Sequence, residues 1–203
     1  MKKILAALPL LLVFAFCNSK KQTGTTVAAT ENITGTEDST HTPFFPVTAF
    51  LLGQLAELDS LPVTFLHITT INGKTDSVWE KRQAVKPILQ PFIEDNIDTA
   101  NLTAFFKATK FNDQTIEAIT FTYDPLAPLP DSIALRHWAL YINPETGKIN
   151  KVYIVREFNK DKTTFTQQLT WQTGRRAKIN TLQQLPGQQK QLLKEEQLVW
   201  DFD

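Results

Sequence analysis

From Val47 to Leu58, apolar residues recur at Val47, Phe50, Leu51, Leu55 and Leu58, the spacing of one face of a helix, with Pro46 at its start and Asp59-Ser60 behind it. Val63–Ile71 is rich in Val, Phe, Ile and Thr and predicts a strand. Asn72-Gly73 then supplies the turn of a hairpin into a second strand over Thr75–Trp79. Between Gln83 and Lys110 the pattern is helical and interrupted by Pro87 and Pro91, with Asp98 or Thr99 placed to cap a helix carrying Leu102, Phe105 and Phe106.

Beyond Ile116 the period changes. Ile116–Tyr123 predicts a strand, and the proline-rich connection Asp124–Asp131 follows it. Runs over Arg136–Ile142, Ile149–Phe158, Thr163–Trp171 and Arg176–Leu182 are joined by short polar turns and predict an antiparallel meander. In Thr163–Trp171, Phe165, Leu169 and Trp171 share one face with Gln167, and Thr164, Thr166, Gln168 and Thr170 share the other. Pro186–Glu196 is polar and predicts a short helix, and Gln197–Phe202 a final strand. About eight strands and two or three helices make an α+β domain built on one curved antiparallel sheet, open enough to be a half-barrel.

The N-terminus has a different character. Lys2 and Lys3 precede an apolar run from Ile4 to Phe16, and Cys17, the only cysteine, stands directly behind it. The run is shorter than the roughly 20 residues that span a bilayer. Asn18–Thr42 is rich in Ser, Thr, Asn and Gly and nearly free of large apolar residues, so it cannot bury enough surface to offset its conformational entropy. As a random coil it would span roughly 25–30 Å. The chain therefore divides into a signal over residues 1–16, an N-terminus and tether over residues 17–42 that begins at Cys17, and a single globular domain over residues 43–203.

The remaining composition narrows the function classes. Twenty-one basic residues balance 21 acidic ones, which argues against a nucleic-acid partner, because phosphate binding needs a basic footprint. With one cysteine there is no disulfide framework, and the 42% of hydrophobic residues must supply the core alone. The domain's histidines, His67 and His137, form no metal motif with nearby residues, and no cofactor motif occurs. Ser60, Ser77 and Ser132 each follow an aspartate, an arrangement typical of turns and caps, and none sits in a nucleophile elbow. A periplasmic hydrolase using His137 with a nearby Asp and Ser is the catalytic alternative, and a spatial metal site from His137 with Asp131 or Asp124 is a remoter one. The aromatic residues on strands fill a sheet core, or some of them line a site for a lipid, glycan or peptide. Trp138 and Trp171 are the candidates for that second role.

The start of the chain resembles the signal of bacterial membrane lipoproteins, in which the cysteine is acylated and becomes the new N-terminus. Phe14, Ala15 and Phe16 occupy the positions before it; Ala15 fits the family pattern, whereas Phe16 is bulkier than usual. The resemblance implies lipid attachment at Cys17 and a membrane partner. Asn18, where an Asp would retain the protein at the inner membrane, implies an outer-membrane position facing the periplasm. The order and size of the elements resemble the half-barrels of periplasmic lipoprotein carriers. FFPV, DSVW, YINPETG, LTWQTG and VWDF are similar to segments of secreted lipoproteins of comparable length with no assigned activity. The expectation is a membrane-anchored, non-catalytic envelope lipoprotein that binds a hydrophobic ligand or a partner protein.

Overall fold

The structure is a computed structural model that describes residues 44–201. The signal, the tether and Cys17 lie outside the described residues. Helix α1 (Val47–Ser60) leads into the hairpin β1 (Phe65–Ile71) and β2 (Lys74–Glu80), whose turn places both Asn72 and Gly73 at positive φ, as the Asn-Gly pair requires. Helix α2 (Arg82–Leu89), a single 3-10 turn (Gln90–Phe92) and the one-turn α3 (Ala100–Thr103) follow. Seven strands complete the chain: β3 (Phe106–Asp113), β4 (Ala118–Pro125), β5 (Leu135–Ile142), β6 (Ile149–Lys160), β7 (Thr163–Gln172), β8 (Arg176–Gln184) and β9 (Gln191–Val199).

All nine strands form one curved, open antiparallel sheet in the order β2-β1-β9-β8-β7-β6-β5-β4-β3. Strands β3 to β9 are a continuous meander. The N-terminal hairpin is added at its far side, where β1 pairs with β9 from Leu66↔Val199 to Ile71↔Lys194. The α+β class and the curved sheet agree with the pattern of the sequence.

Three segments depart from it. Phe106–Lys110, read as the end of a helix, begins β3, because Phe106 and Ala108 alternate inward against Pro125 and Tyr123 of β4. Residues 191–196, read as helical, belong to β9, which begins six residues before the expected Gln197. There the inward positions are Lys194 and Glu196, beyond the reach of the helices, so the apolar alternation that marks a buried strand is missing. Pro87 sits inside α2, the sixth of its eight residues, and does not end it; the helix simply loses one backbone N–H donor in its last turns.

The helices cover one face of the sheet, and the core lies between. Trp138, Leu140, Val152, Ile154, Leu169, Trp171, Ile179 and Leu198 point inward from β5 to β9 and meet Val47, Leu51, Val85, Leu89, Phe92 and Ile97. Ring contacts order this layer: Tyr123 stacks on Trp138 at 4.5 Å, Phe106 meets Trp138 edge-on at 4.6 Å, and Phe92 meets Trp171 edge-on at 5.5 Å. A bulge at Arg136 shifts the register of β5 against β6, so Leu135 faces inward while His137 turns to the outer face.

One polar group is buried within this layer. Arg156 stands at an inward position of β6, 5% exposed, and donates to Asp95 at 2.6 Å, Glu94 at 2.8 Å and Gln167 at 3.3 Å. The same loop caps α1. Pro46, at the helix N-cap, has no capping side chain, and the Asp98 carboxylate accepts instead from the backbone N–H groups of Thr48 (3.0 Å) and Ala49 (2.9 Å). Thr48 Oγ1 donates to the Asp95 carbonyl at 3.3 Å and accepts from the Ile97 N–H at 3.0 Å.

Burial pushes the Asp95 carboxyl above its ordinary value of 3.8, with Arg156 pulling it back. The folded state thus holds this proton more tightly than the unfolded chain does. The contribution of this group to stability is greatest in acid and is lost as pH rises from 3.8 through the raised folded value. Arg156→Ala strands Asp95 without its counter-charge and should cost about 3–5 kcal/mol in urea unfolding at neutral pH. The loss should shrink at about pH 4, where Asp95 can take a proton. Trp171→Ala should cost about 3–5 kcal/mol in the same assay, because the emptied core cannot fully collapse.

Candidate functional site

Helices α1 and α2, separated in sequence by the hairpin β1–β2, leave a gap where they meet. The C-terminal half of α1 presents Leu55 and Leu58, α2 presents Val85 and Leu89, and Phe65 opens β1 below them. With Ile93 they wall a pocket of about 180 Å³. Its floor is well buried: Phe65 is 1% and Leu89 2% exposed. Its rim is polar. Lys86 Nζ lies 2.9 Å from Asp59 Oδ2, and Arg82 donates to the Leu61 carbonyl. Both side chains of the Lys86–Asp59 pair are largely in solvent, so it contributes little to stability and can open without much cost. The pocket is an apolar well with two cations and one carboxylate at its mouth.

The next inward residue along β1 after Phe65 is His67, and the sheet places it between carboxylates from both neighbouring strands. Nδ1 lies 3.7 Å from Glu80 of β2, and Nε2 lies 3.6 Å from Glu196 of β9 and 3.2 Å from Thr69 Oγ1. Lys194 Nζ reaches Glu196 at 2.7 Å. This polar cluster lies where the N-terminal hairpin pairs with β9. Because the two carboxylates address opposite ring nitrogens, they do not converge on one point, and among the described residues no group of three or more His, Cys, Asp or Glu side chains is placed to hold a metal ion.

His137 pairs with Asp124, Nδ1 to Oδ1 at 2.7 Å, on the outer face of the sheet. The acid expected for a hydrolytic pair is present. Among the described residues, however, no serine hydroxyl is hydrogen-bonded to His137 or to His67, and Ser60 Oγ donates to the Glu57 carbonyl at the end of α1. Neither histidine therefore has the Ser–His–acid relay that activates a hydroxyl.

Trp138 and Trp171 are both 0% exposed. They face inward from β5 and β7, with β6 between them, and each is packed by its own aromatic group: Tyr123, Phe44 and Phe106 around Trp138, Phe92 and Trp200 around Trp171. Their indole N–H groups are buried without a hydrogen-bond partner, a cost of about 1–3 kcal/mol each that the buried ring area must offset. The residues that wall the pocket were legible only in part. Leu55 and Leu58 belong to the helical stripe, but nothing in the sequence ties them to Val85, Leu89 and Ile93. Glu80 and Glu196 became visible as neighbours of His67 only once the register was known.

No helix among the described residues is long and apolar enough to cross a membrane. Comparison with known protein families finds no family model that matches the chain, and comparison with curated proteins finds no matching sequence.

Ile93→Phe should fill part of the pocket and hold stability or raise it by up to about 1 kcal/mol, read as the urea midpoint. A loss of more than that would mean that the space is already closed.

Proposed function

We propose that this protein is a membrane-anchored, non-catalytic lipoprotein of the cell envelope that holds an apolar group in the pocket between α1, α2 and β1. The observation that carries the reading is the pocket itself: six apolar walls, a buried floor and a cationic rim at Arg82 and Lys86. Its volume of about 180 Å³ lies below the range of roughly 300–1,000 Å³ common for sites that enclose a whole small molecule. It suits the end of one acyl chain, or one apolar side chain of a partner, better than an entire lipid.

Anchoring rests on the Lys2-Lys3 start, the apolar run to Phe16 and Cys17, and Asn18 favours the outer membrane facing the periplasm. A single acyl chain gives marginal membrane attachment, and the several chains of a bacterial lipoprotein give durable attachment. Binding and anchoring thus use separate parts of the chain.

Two measurements test the two halves. Cys17→Ala should abolish incorporation of labelled palmitate and move the protein from the membrane fraction to the soluble fraction; retention in membranes would refute the anchor. The purified protein should enhance the fluorescence of 1-anilinonaphthalene-8-sulfonate, an apolar ring system bearing an anion, and Ile93→Phe should weaken that binding at least tenfold while keeping its urea midpoint. Equal binding by the variant would place the probe elsewhere.

A further inference from the structure

The outer face of the sheet has no helix over it, and its residues do not resemble an ordinary solvated face of alternating lysine and glutamate. A register row crosses β5 to β8 on that face as Tyr141, Lys151, Gln172 and Arg176. The adjacent row, over β6 to β9, is Tyr153, Thr170, Lys178 and Gln197. Where the two rows meet, Thr170, Gln172, Arg176, Lys178 and Gln197 line a shallow depression of about 150 Å³ with no carboxylate among them.

The chemistry of these groups is specific. Arg176 and Lys178 stand two residues apart on β8, so both cations lie on the outer face of the sheet. Each has one protein contact to the side: Arg176 Nε donates to Gln172 Oε1, and Lys178 Nζ lies 2.8 Å from Glu195. The outer edge of the guanidinium makes no hydrogen bond to the described residues, and that edge is the fork that takes a carboxylate through two parallel bonds. Gln172, Gln197 and Thr170 add neutral amide and hydroxyl groups that both donate and accept. At the border, Lys151 Nζ lies 3.7 Å from the centre of the Tyr141 ring. Burial holds the phenols of Tyr141 and Tyr153 above their ordinary value, so both remain O–H donors.

We infer that this depression is a second binding site, on the face opposite the apolar pocket, for a polysaccharide that carries carboxylates. Cations matched to a carboxylate supply the charge complementarity. The amides and hydroxyls on neighbouring strands match sugar hydroxyls, and the tyrosines offer ring edges and O–H groups alongside. A peptide partner would need an apolar anchor pocket, and the depression has none.

The test is affinity electrophoresis of the full-length protein in non-ionic detergent, with polygalacturonate in the gel as the acidic probe and dextran as the neutral one. Polygalacturonate should retard the protein and dextran should not. Arg176→Ala should weaken the retardation at least tenfold with an unchanged urea midpoint, and Lys160→Ala, which removes a charge at the far end of β6, should leave it as in the parent. No retardation by polygalacturonate, equal retardation by dextran, or an Arg176→Ala protein that binds as the parent does would each overturn the proposal. Flotation with phosphatidylglycerol vesicles separates the other source of anions. Cys17→Ala protein that floats, and loses flotation with Arg176→Ala, would assign the site to lipid headgroups and overturn the glycan reading.

Discussion

The helical layer is held to the sheet by one buried cation. Arg156 projects from β6, beside Gln167, into the part of the inner face that the helices cover, and among the described residues its acidic partners, Glu94 and Asp95, lie on the loop after the 3-10 turn. That loop also provides the cap that α1 lacks in its own sequence, through Asp98, and the seat for Thr48, through the Asp95 carbonyl and the Ile97 N–H. Helix α1, the loop and the central strands are therefore one polar circuit. The apolar contacts supply most of the free energy, but they are compatible with several ways of laying a helix on a sheet. The circuit selects one, because a slip of α1 against the loop would leave the N–H groups of Thr48 and Ala49 unpaired, and a slip of the loop against β6 would separate Asp95 from Arg156.

The apolar pocket depends on that selection, and the outer face of the sheet does not. The apolar pocket exists because α1 and α2 diverge above Phe65, and the position of α1 is set at its other end by Asp98. The outer face needs no helix. It is fixed by strand register alone, and the parity of each strand decides which residues reach it. The bulge at Arg136 makes this visible: one extra residue moves His137 from the side of Leu135 to the side of Asp124.

Much of the sheet could be read from the sequence, because the strands of the meander are joined by short polar turns and buried on one side. Phe165, Leu169 and Trp171 alternate as a half-covered strand must. The readings failed where tertiary contacts override local pattern. Phe106, Ala108 and Lys110 form a strand only because β4 lies beside them, and β9 carries Lys194 and Glu196 inward because the helices stop short of it. The candidate site was less legible for the same reason. Trp138 and Trp171 stand out in the sequence as large aromatics, yet their size is what places them in the centre of the core. The pocket is lined instead by ordinary leucines, valine and isoleucine from three separate segments, and Arg156 looks in the sequence like any other strand arginine.

The pairing of β1 with β9 has a further consequence, for the order of events as the chain is made. The first hairpin cannot find its sheet neighbour until the last strand has appeared, more than a hundred residues later, so the one strand pairing between distant parts of the chain forms at the end. Until then β1 and β2 are an isolated hairpin, marginal in water by itself. A chain with this topology cannot close its sheet before its last strand has been made. Wiring the first strand to the last thus acts as a delay built into the fold.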